Sequence, residues 1–97
     1  MPIRKIYTLK AAPDRAPDLL RALRILAEKL TPLEGNQGVE ILANVDDQEI
    51  YVFVEHWATS EAQKAAGALL GRAAFADIGP TLDSPPVTAT LTPVDDG

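Results

Sequence analysis

Hydrophobic residues in the first third of the chain change from a strand-like to a helix-like spacing. Ile3 to Lys10 alternates loosely between apolar and polar positions, which predicts a strand. After a break at Ala-Ala-Pro-Asp, Asp14 is the predicted N-cap of a helix that has Pro17 in its first turn. Apolar side chains then recur at i, i+3, i+4 and i+7 as far as Leu30, which predicts an amphipathic helix with one buried face.

The rest of the chain predicts a hairpin, a second helix and a final strand. Two apolar segments, 39–45 and 49–57, flank a polar turn of three residues, which is typical of a β-hairpin. Thr59 or Ser60 is the expected cap of an alanine-rich helix over 61–70, and residues 72–78 are expected to add one further turn or two. Apolar residues alternate with threonine over 87–94, which predicts a fourth strand, and 95–97 is expected to be a frayed tail.

The predicted order of elements is β-α-β-β-α-β, which is the split βαβ or ferredoxin-like arrangement of the α+β class. Right-handed crossovers in this order give a four-stranded antiparallel sheet with both helices on one face. A length of 97 residues corresponds to one domain, so residues 1–97 are expected to form a single unit.

Composition indicates that this small domain needs support from outside itself. A domain of this length buries only about 60–65% of the surface that its unfolded chain exposes. The chain has no cysteine and one histidine, so neither a disulfide nor a four-ligand zinc site is predicted. Oligomerisation is the remaining common source of stability. A net charge of −5 argues against a nucleic-acid partner, and 46% apolar residues argue against disorder.

No segment has the apolar length of a signal peptide or of a membrane-spanning helix. We therefore expect a cytoplasmic protein that does not bind membranes.

The residues of the third strand indicate where this additional stabilisation comes from. Ile50, Val52 and Val54 point to one side of this strand, whereas Tyr51 and Phe53 point to the other. Large apolar residues on both sides indicate that both faces of the sheet are covered. The helices cover one face, and a second copy of the chain is the favoured cover for the other, in an isologous homodimer. The alternative is a monomer whose own loops cover that face.

Four parts of the sequence together resemble one family of proteins. They are Gly38-Val-Glu-Ile-Leu, Tyr51-Val-Phe-Val-Glu-His-Trp57, Thr59-Ser-Glu-Ala62 and Phe75. Their order and spacing resemble the antibiotic biosynthesis monooxygenase family of dimeric α+β barrels, with the Glu-x-Trp at the end of the third strand as the clearest marker. The resemblance covers nearly the whole chain. It implies a dimeric α/β barrel and the oxidation of a small aromatic or quinol-like substrate by O₂ without a cofactor.

The sequence departs from the members of that family that degrade haem. Those members resemble one another in an axial histidine in the second helical region and in a second tryptophan. The corresponding segment here, Leu70-Gly-Arg-Ala-Ala-Phe75, contains no histidine, and Trp57 is the only tryptophan. Haem ligation is therefore not expected, and no cofactor and no metal are predicted.

Aromatic residues of the first and third strands are the candidates for holding a substrate. Tyr51, Phe53, Glu55 and Trp57 share one face of the third strand by their odd numbers, and Tyr7 is expected to join them across the sheet. Phe75 is expected to close the space from the helical side. An apolar pocket with a few polar groups suits a small planar ligand. The alternative, which is the commoner role of such residues, is packing in the core or the dimer interface.

Three polar residues are candidates for the chemistry. Glu55 lies on the aromatic face, where desolvation would raise its pKa and make it a useful base; the alternative is a carboxylate satisfied by a backbone N–H or an arginine. His56 is a candidate because histidine is a common general base, but it points away from Trp57, and its alternative is a solvent-facing or interface position. Asn44 could donate to an oxyanion, and its alternative is to satisfy local backbone groups.

The resulting hypothesis is a cofactor-independent monooxygenase with a pocket between the sheet and the helices. Its predicted catalytic residues are Trp57, Glu55 and His56, and its predicted substrate-binding residues are Tyr7, Asn44, Tyr51, Phe53 and Phe75. The alternatives are a dimeric barrel that binds a small hydrophobic ligand without turnover, and a structural module with a filled core. A cavity beside Trp57 would favour a ligand-binding protein over a structural one.

Overall fold

Strands and helices follow one another as β-α-β-β-α-β in the computed structural model, which describes residues 1–94. The strands are β1 (Ile3–Lys10), β2 (Asn36–Ala43), β3 (Ile50–Trp57) and β4 (Val87–Leu91), and the helices are α1 (Ala16–Leu30) and α2 (Ser60–Leu70). Two short 3₁₀ helices, Arg72–Phe75 and Gly79–Thr81, lie between α2 and β4. This arrangement confirms the predicted α+β ferredoxin-like fold.

The four strands form one antiparallel sheet in the order β2-β3-β1-β4. The two central strands, β1 and β3, pair along their whole length, from Ile3 opposite Trp57 to Lys10 opposite Ile50. In this register odd-numbered residues of β1 face odd-numbered residues of β3. We call the side with these odd-numbered residues the inner face and the side with the even-numbered residues the outer face.

The core lies between the inner face and the helices. On the sheet, Phe53 and Trp57 are each only 1% exposed. Helix α1 covers them with a stripe of leucines at helical spacing, namely Leu19, Leu23, Leu26 and Leu30. Helix α2 contributes a single fully buried side chain, Ala66. The inner face is therefore covered mainly by the bulky leucines of α1, and α2 adds only a small buried side chain.

The outer face carries apolar side chains that neither helix covers. Val54 is buried there by its neighbours in the sheet but does not belong to the core cluster. On the flanking strands, Leu42 is 46%, Val87 is 70% and Leu91 is 50% exposed. These residues agree with the prediction that both sides of β3 are apolar.

Several predicted element boundaries are wrong. Asp14 does not cap α1: Arg15 occupies the N-cap position without a side-chain cap, and Asp14 lies in the preceding turn with φ +66°. The second strand begins at Asn36 and ends at Ala43, because Asn44 turns the chain by accepting hydrogen bonds from two backbone N–H groups. Thr59 caps α2 as predicted, with its Oγ1 accepting from the Ala62 N–H at 3.0 Å.

The fourth strand ends at Leu91, three residues before its predicted end. The tail predicted over 95–97 lies outside the residues that the structure describes. None of the described helices is long and apolar enough to cross a membrane. The cytoplasmic location stays a prediction.

Gly35 allows β2 to begin directly against α2, and this contact predicts a stability change. Gly35 has φ +83°, and a Cβ atom placed on it would overlap the Cβ of Ala62. We expect Gly35→Ala to lower the free energy of unfolding by about 2 kcal/mol, because the new methyl group is both strained and overpacked. Urea unfolding followed by circular dichroism measures this change.

The matched control is Gly67→Ala, in which the new Cβ meets no neighbouring atom. Gly67 lies inside α2, where alanine is preferred to glycine by about 0.5–1 kcal/mol. The control should therefore be more stable than the parent protein. Equal stability of Gly35→Ala and the parent would contradict the close packing of β2 against α2.

Candidate functional site

A cavity of about 230 Å³ lies between the inner face and the helical side of the domain. The sheet contributes Tyr7, Leu9 and Phe53, and α1 contributes Leu23 and Leu26. The segment between α2 and β4 supplies the remaining wall through Phe75, Ile78, Gly79, Leu82 and Pro86. The hydroxyl of Tyr7 is the single polar side-chain group among these lining residues.

The cavity exists because short 3₁₀ helices, and not a long amphipathic helix, cover this part of the sheet. Within the segment, Ile78 is buried whereas Phe75 is 36% exposed at the rim. The sequence Arg-Ala-Ala-Phe and the following Gly79-Pro80 provide few large side chains to fill the space. This segment therefore leaves room for a small ligand between itself and the sheet.

Tyr7 presents a neutral phenol to the cavity. The pKa of Tyr7 is raised to about 12, mainly because the side chain is buried, and further because the negatively charged carboxylate of Glu55 lies beside it. Its ring packs at a tilt against Phe53, with 6.2 Å between ring centroids. Tyr7 thus connects the cavity with the carboxylate behind it.

Glu55 is a buried carboxylate, with 2% of its surface exposed. Burial raises its pKa, against the opposing effects of the Trp57 hydrogen bond, the positive charge of Lys5 and the nearby Tyr7 hydroxyl. The Trp57 indole Nε1–H donates to Oε1 of Glu55 at 2.8 Å. Glu55 is not one of the lining residues. Its neighbour Tyr7 is, so Tyr7 is the residue through which Glu55 can act on a ligand in the cavity.

Trp57 packs inside the core, where it is 1% exposed and lies opposite Ile3 and Asn36 on the neighbouring strands. It is not among the residues that line the cavity. Its contact with the site is the hydrogen bond that it donates to Glu55. The structure therefore places Trp57 behind the carboxylate, at the side away from the cavity.

His56 lies on the outer face, as its even number predicts. Its Nε2 is 2.7 Å from Oε1 of Glu40, and its Nδ1 accepts a hydrogen bond from Nε of Arg4 at 3.1 Å. These contacts fix a row of three polar side chains across β2, β3 and β1. The row is separated from the cavity by the thickness of the sheet, so His56 does not reach the lining residues.

Asn44 and Tyr51 line a different and more open depression near the hairpin turn, together with Glu49 and Asp14. Oδ1 of Asn44 accepts from the backbone N–H groups of Asp46 and Asp47, at 2.8 and 3.0 Å. This is the local role that the sequence offered as the alternative for Asn44. The structure does not bring these two predicted substrate-binding residues to the cavity.

The predicted site residues therefore fall into separate places. Tyr7, Phe53 and Phe75 line the cavity, and Glu55 and Trp57 form the layer behind Tyr7. Sequence reasoning missed Lys5, although its odd number on the first strand places it on the inner face beside Tyr7. It also missed Ile78 and Leu82, for which no periodic pattern in the sequence gave a signal.

Comparison with known proteins agrees with this fold. A family model described as antibiotic biosynthesis monooxygenase matches residues 2–76. The comparison with curated proteins gives no significant match.

Among solved structures, Rv0793 from Mycobacterium tuberculosis is similar with a TM-score of 0.87 and 19% identity, covering 99% of this chain and 98% of its own. A Caulobacter crescentus protein, assigned only provisionally to the antibiotic biosynthesis monooxygenases, has a TM-score of 0.84 and 27% identity over 97% and 91% of the two chains. A conserved protein from Methanosarcina mazei has a TM-score of 0.86 and 15% identity over 94% and 91%. The first and third of these show the fold alone.

The hydrogen bond between Trp57 and Glu55 predicts a pH-dependent fluorescence signal. Trp57 is the only tryptophan, so its emission reports the charge of the carboxylate that it contacts. Because burial raises the pKa of Glu55 above its ordinary value of 4.5, we expect an emission change with a midpoint above pH 4.5 as the carboxyl ionises. The measurement is steady-state fluorescence across the pH range in which the protein stays folded.

Glu55→Gln should abolish this transition, because the amide keeps a hydrogen-bond acceptor but cannot ionise. The control is His56→Gln, which alters the other face of the sheet and should preserve the transition. The folded wild type binds the Glu55 proton more tightly than the unfolded chain does, so this group's contribution to stability falls as pH rises from 4.5 through the midpoint. An unchanged transition in Glu55→Gln would contradict the assignment.

Proposed function

The chain belongs to the antibiotic biosynthesis monooxygenase family, and on this basis we propose that it is a cofactor-independent monooxygenase that oxidises a small aromatic or quinol-like substrate with O₂ in the cavity. One observation carries the proposal: Tyr7, the single polar side chain that lines an apolar cavity, lies close enough to the buried carboxylate of Glu55 for that negative charge to raise the pKa of Tyr7. This arrangement joins a binding space for a ring to a group that can accept a proton.

The dimensions of the cavity support a small aromatic substrate. An apolar cavity of about 150 Å³ is large enough to bind benzene. The volume of about 230 Å³ found here therefore suits a substituted ring or a compact pair of rings. Phe53 and Phe75 offer aromatic surfaces to such a ring, and the leucines exclude water from it.

The first step is removal of a proton from the substrate. In the proposed mechanism the Tyr7 oxygen accepts the proton of the substrate's acidic C–H or O–H, while the Tyr7 hydroxyl proton passes to Glu55. One proton is thereby transferred from substrate to carboxylate, and Tyr7 stays neutral. A carboxylate with a raised pKa is a stronger base than an exposed one, and the Trp57 N–H holds it in position.

The second step joins the deprotonated substrate to O₂. For a substrate with a reactive CH₂ group, the carbanion and O₂ form a peroxide with a new C–O bond. Loss of water from the protonated peroxide leaves a carbonyl, so that R₂CH₂ and O₂ give R₂C=O and H₂O. The substrate supplies all the electrons, which is why no cofactor is required. The apolar walls keep the reactive anion away from bulk water.

Ligand binding without turnover is the second candidate function. The observation that favours it is that Glu55 does not itself line the cavity. The same apolar space would then hold a small hydrophobic molecule whose single polar group contacts Tyr7. Oxygen uptake distinguishes the two functions, because a binding protein would hold the compound without consuming O₂.

The oxygenase proposal predicts O₂ consumption with a panel of quinols and anthrone-like compounds, measured with an oxygen electrode. Tyr7→Phe and Glu55→Gln should each lower kcat by about 100-fold or more, because each interrupts proton transfer. Leu82→Phe should raise KM by filling the cavity, since Leu82 lines it.

The control for the cavity variant is Leu69→Phe, which makes the same exchange at a side chain that is 74% exposed on α2. It should leave the kinetics unchanged. Uptake no faster than the uncatalysed rate, together with a Trp57 fluorescence response to the same compounds, would overturn the oxygenase and favour the binding protein.

We further propose that a second copy of the chain covers the outer face in a homodimer. The support is the exposure of apolar side chains there, including Leu42 and Leu91 on opposite flanks of the sheet. Three polar side chains of this face, Arg4, Glu40 and His56, are joined by hydrogen bonds through His56, which lowers the cost of burying them. A two-fold contact between identical faces would satisfy both features.

The homodimer predicts a mass of twice the 10.4 kDa of one chain in analytical ultracentrifugation. Leu42→Lys combined with Leu91→Lys should shift the protein to monomer, because two like charges would be buried at the contact. The control Leu69→Lys makes the same exchange on α2 and should leave the dimer intact. A monomeric wild type would contradict the proposal.

A further inference from the structure

Lys5 occupies a central position on the inner face that the proposed mechanism does not use. In the sheet it lies opposite Glu55 on β3 and opposite Thr90 on β4. Its Nζ donates a hydrogen bond to Oγ1 of Thr90 at 3.1 Å. The ion pairs found among residues 1–94 do not include a pair between Lys5 and Glu55. The ammonium group is thus bound to a neighbour and does not contact the carboxylate that it faces.

This placement separates two effects that a lysine can have on a carboxylate. A nearby positive charge favours the ionised form of Glu55 without any contact. A direct ion pair would do the same, but it would also occupy a carboxylate oxygen. One of those oxygens already accepts from Trp57. A lysine held at Thr90 leaves the carboxylate open to Tyr7.

We propose that Lys5 is a positioning residue of the cavity, held by Thr90 so that its charge favours the ionised form of Glu55 without pairing with it. The consequence for catalysis rests on the proposed function, because it assumes that Glu55 accepts the substrate's proton. The electrostatic arrangement itself does not depend on turnover. It assigns a role to β4, whose own side chains do not line the cavity.

Few other polar or charged side chains lie next to Glu55 and act on its pKa. Strand β1 presents Lys5 and Tyr7 to Glu55, and both act on its titration. Strand β2 places the apolar Val39 opposite Glu55. The buried residues of α1 and α2 are leucines and alanines. Among the described residues, Lys5 is therefore the one cation that acts on this carboxylate.

The test uses the fluorescence titration of Trp57 on the folded protein. Lys5→Met removes the charge and should raise the midpoint of the transition by about one pH unit. Lys5→Arg restores a charge and should return the midpoint towards that of the wild type. Thr90→Val removes the hydrogen-bond acceptor, which frees the ammonium group to pair with Glu55, and should lower the midpoint. These opposite shifts are not expected of residues with a merely structural role.

The matched control is Lys10→Met, which removes a lysine from the same strand at an even-numbered position, where it lies 4.0 Å from Asp47. Its midpoint should equal that of the wild type. An unchanged midpoint in Lys5→Met, or shifts of the same sign in Lys5→Met and Thr90→Val, would overturn the proposal. Opposite midpoint shifts in a protein that consumes no O₂ would support the role of Lys5 and overturn the oxygenase.

Discussion

The burial of the Glu55 carboxylate between the sheet and the helices is the constraint on which the rest of the structure depends. Removing a carboxylate from water costs several kcal/mol unless hydrogen bonds and charges compensate it. Here Trp57 donates to it at 2.8 Å, and Tyr7 and Lys5 act on it from the neighbouring strand. A shift of β3 by one residue would move Glu55 and Trp57 to the outer face, so this group of side chains also specifies the register.

The same constraint accounts for the character of the cavity. Tyr7 stays a neutral phenol because it is buried beside a negative charge. The remaining lining is apolar, so an enclosed ligand meets one polar group only. The short 3₁₀ helices that close this side leave the space unfilled. A longer helix with large apolar side chains would have filled it.

Much of the fold could be predicted because a strand with period two assigns each side chain to one face. The parity of Glu55, His56 and Trp57 correctly separated His56 from the other two, and the order of the elements predicted the four-stranded antiparallel sheet with helices on one face. Parity could not predict which of the residues that share a face lie at the cavity and which lie at the end of the strand. Tyr51 and Phe53 share a face, yet Phe53 lines the cavity and Tyr51 lies at the hairpin end. The walls supplied by Ile78 and Leu82 come from irregular segments, whose position depends on tertiary packing and not on a local pattern.

Strand β3 carries two different tasks on alternate residues, and this determines how its substitutions must be interpreted. Glu55 lies on the inner face beside Tyr7, which lines the cavity, whereas His56 bonds to Arg4 and Glu40 on the face proposed for dimer contact. The two side chains are adjacent in sequence but separated by the sheet. A change in activity after substitution of His56 would therefore reflect an altered assembly or a displaced strand, since its side chain cannot contact a ligand in the cavity. The chemistry proposed here belongs to the odd-numbered residues, and Lys5 shares both their parity and their electrostatic environment.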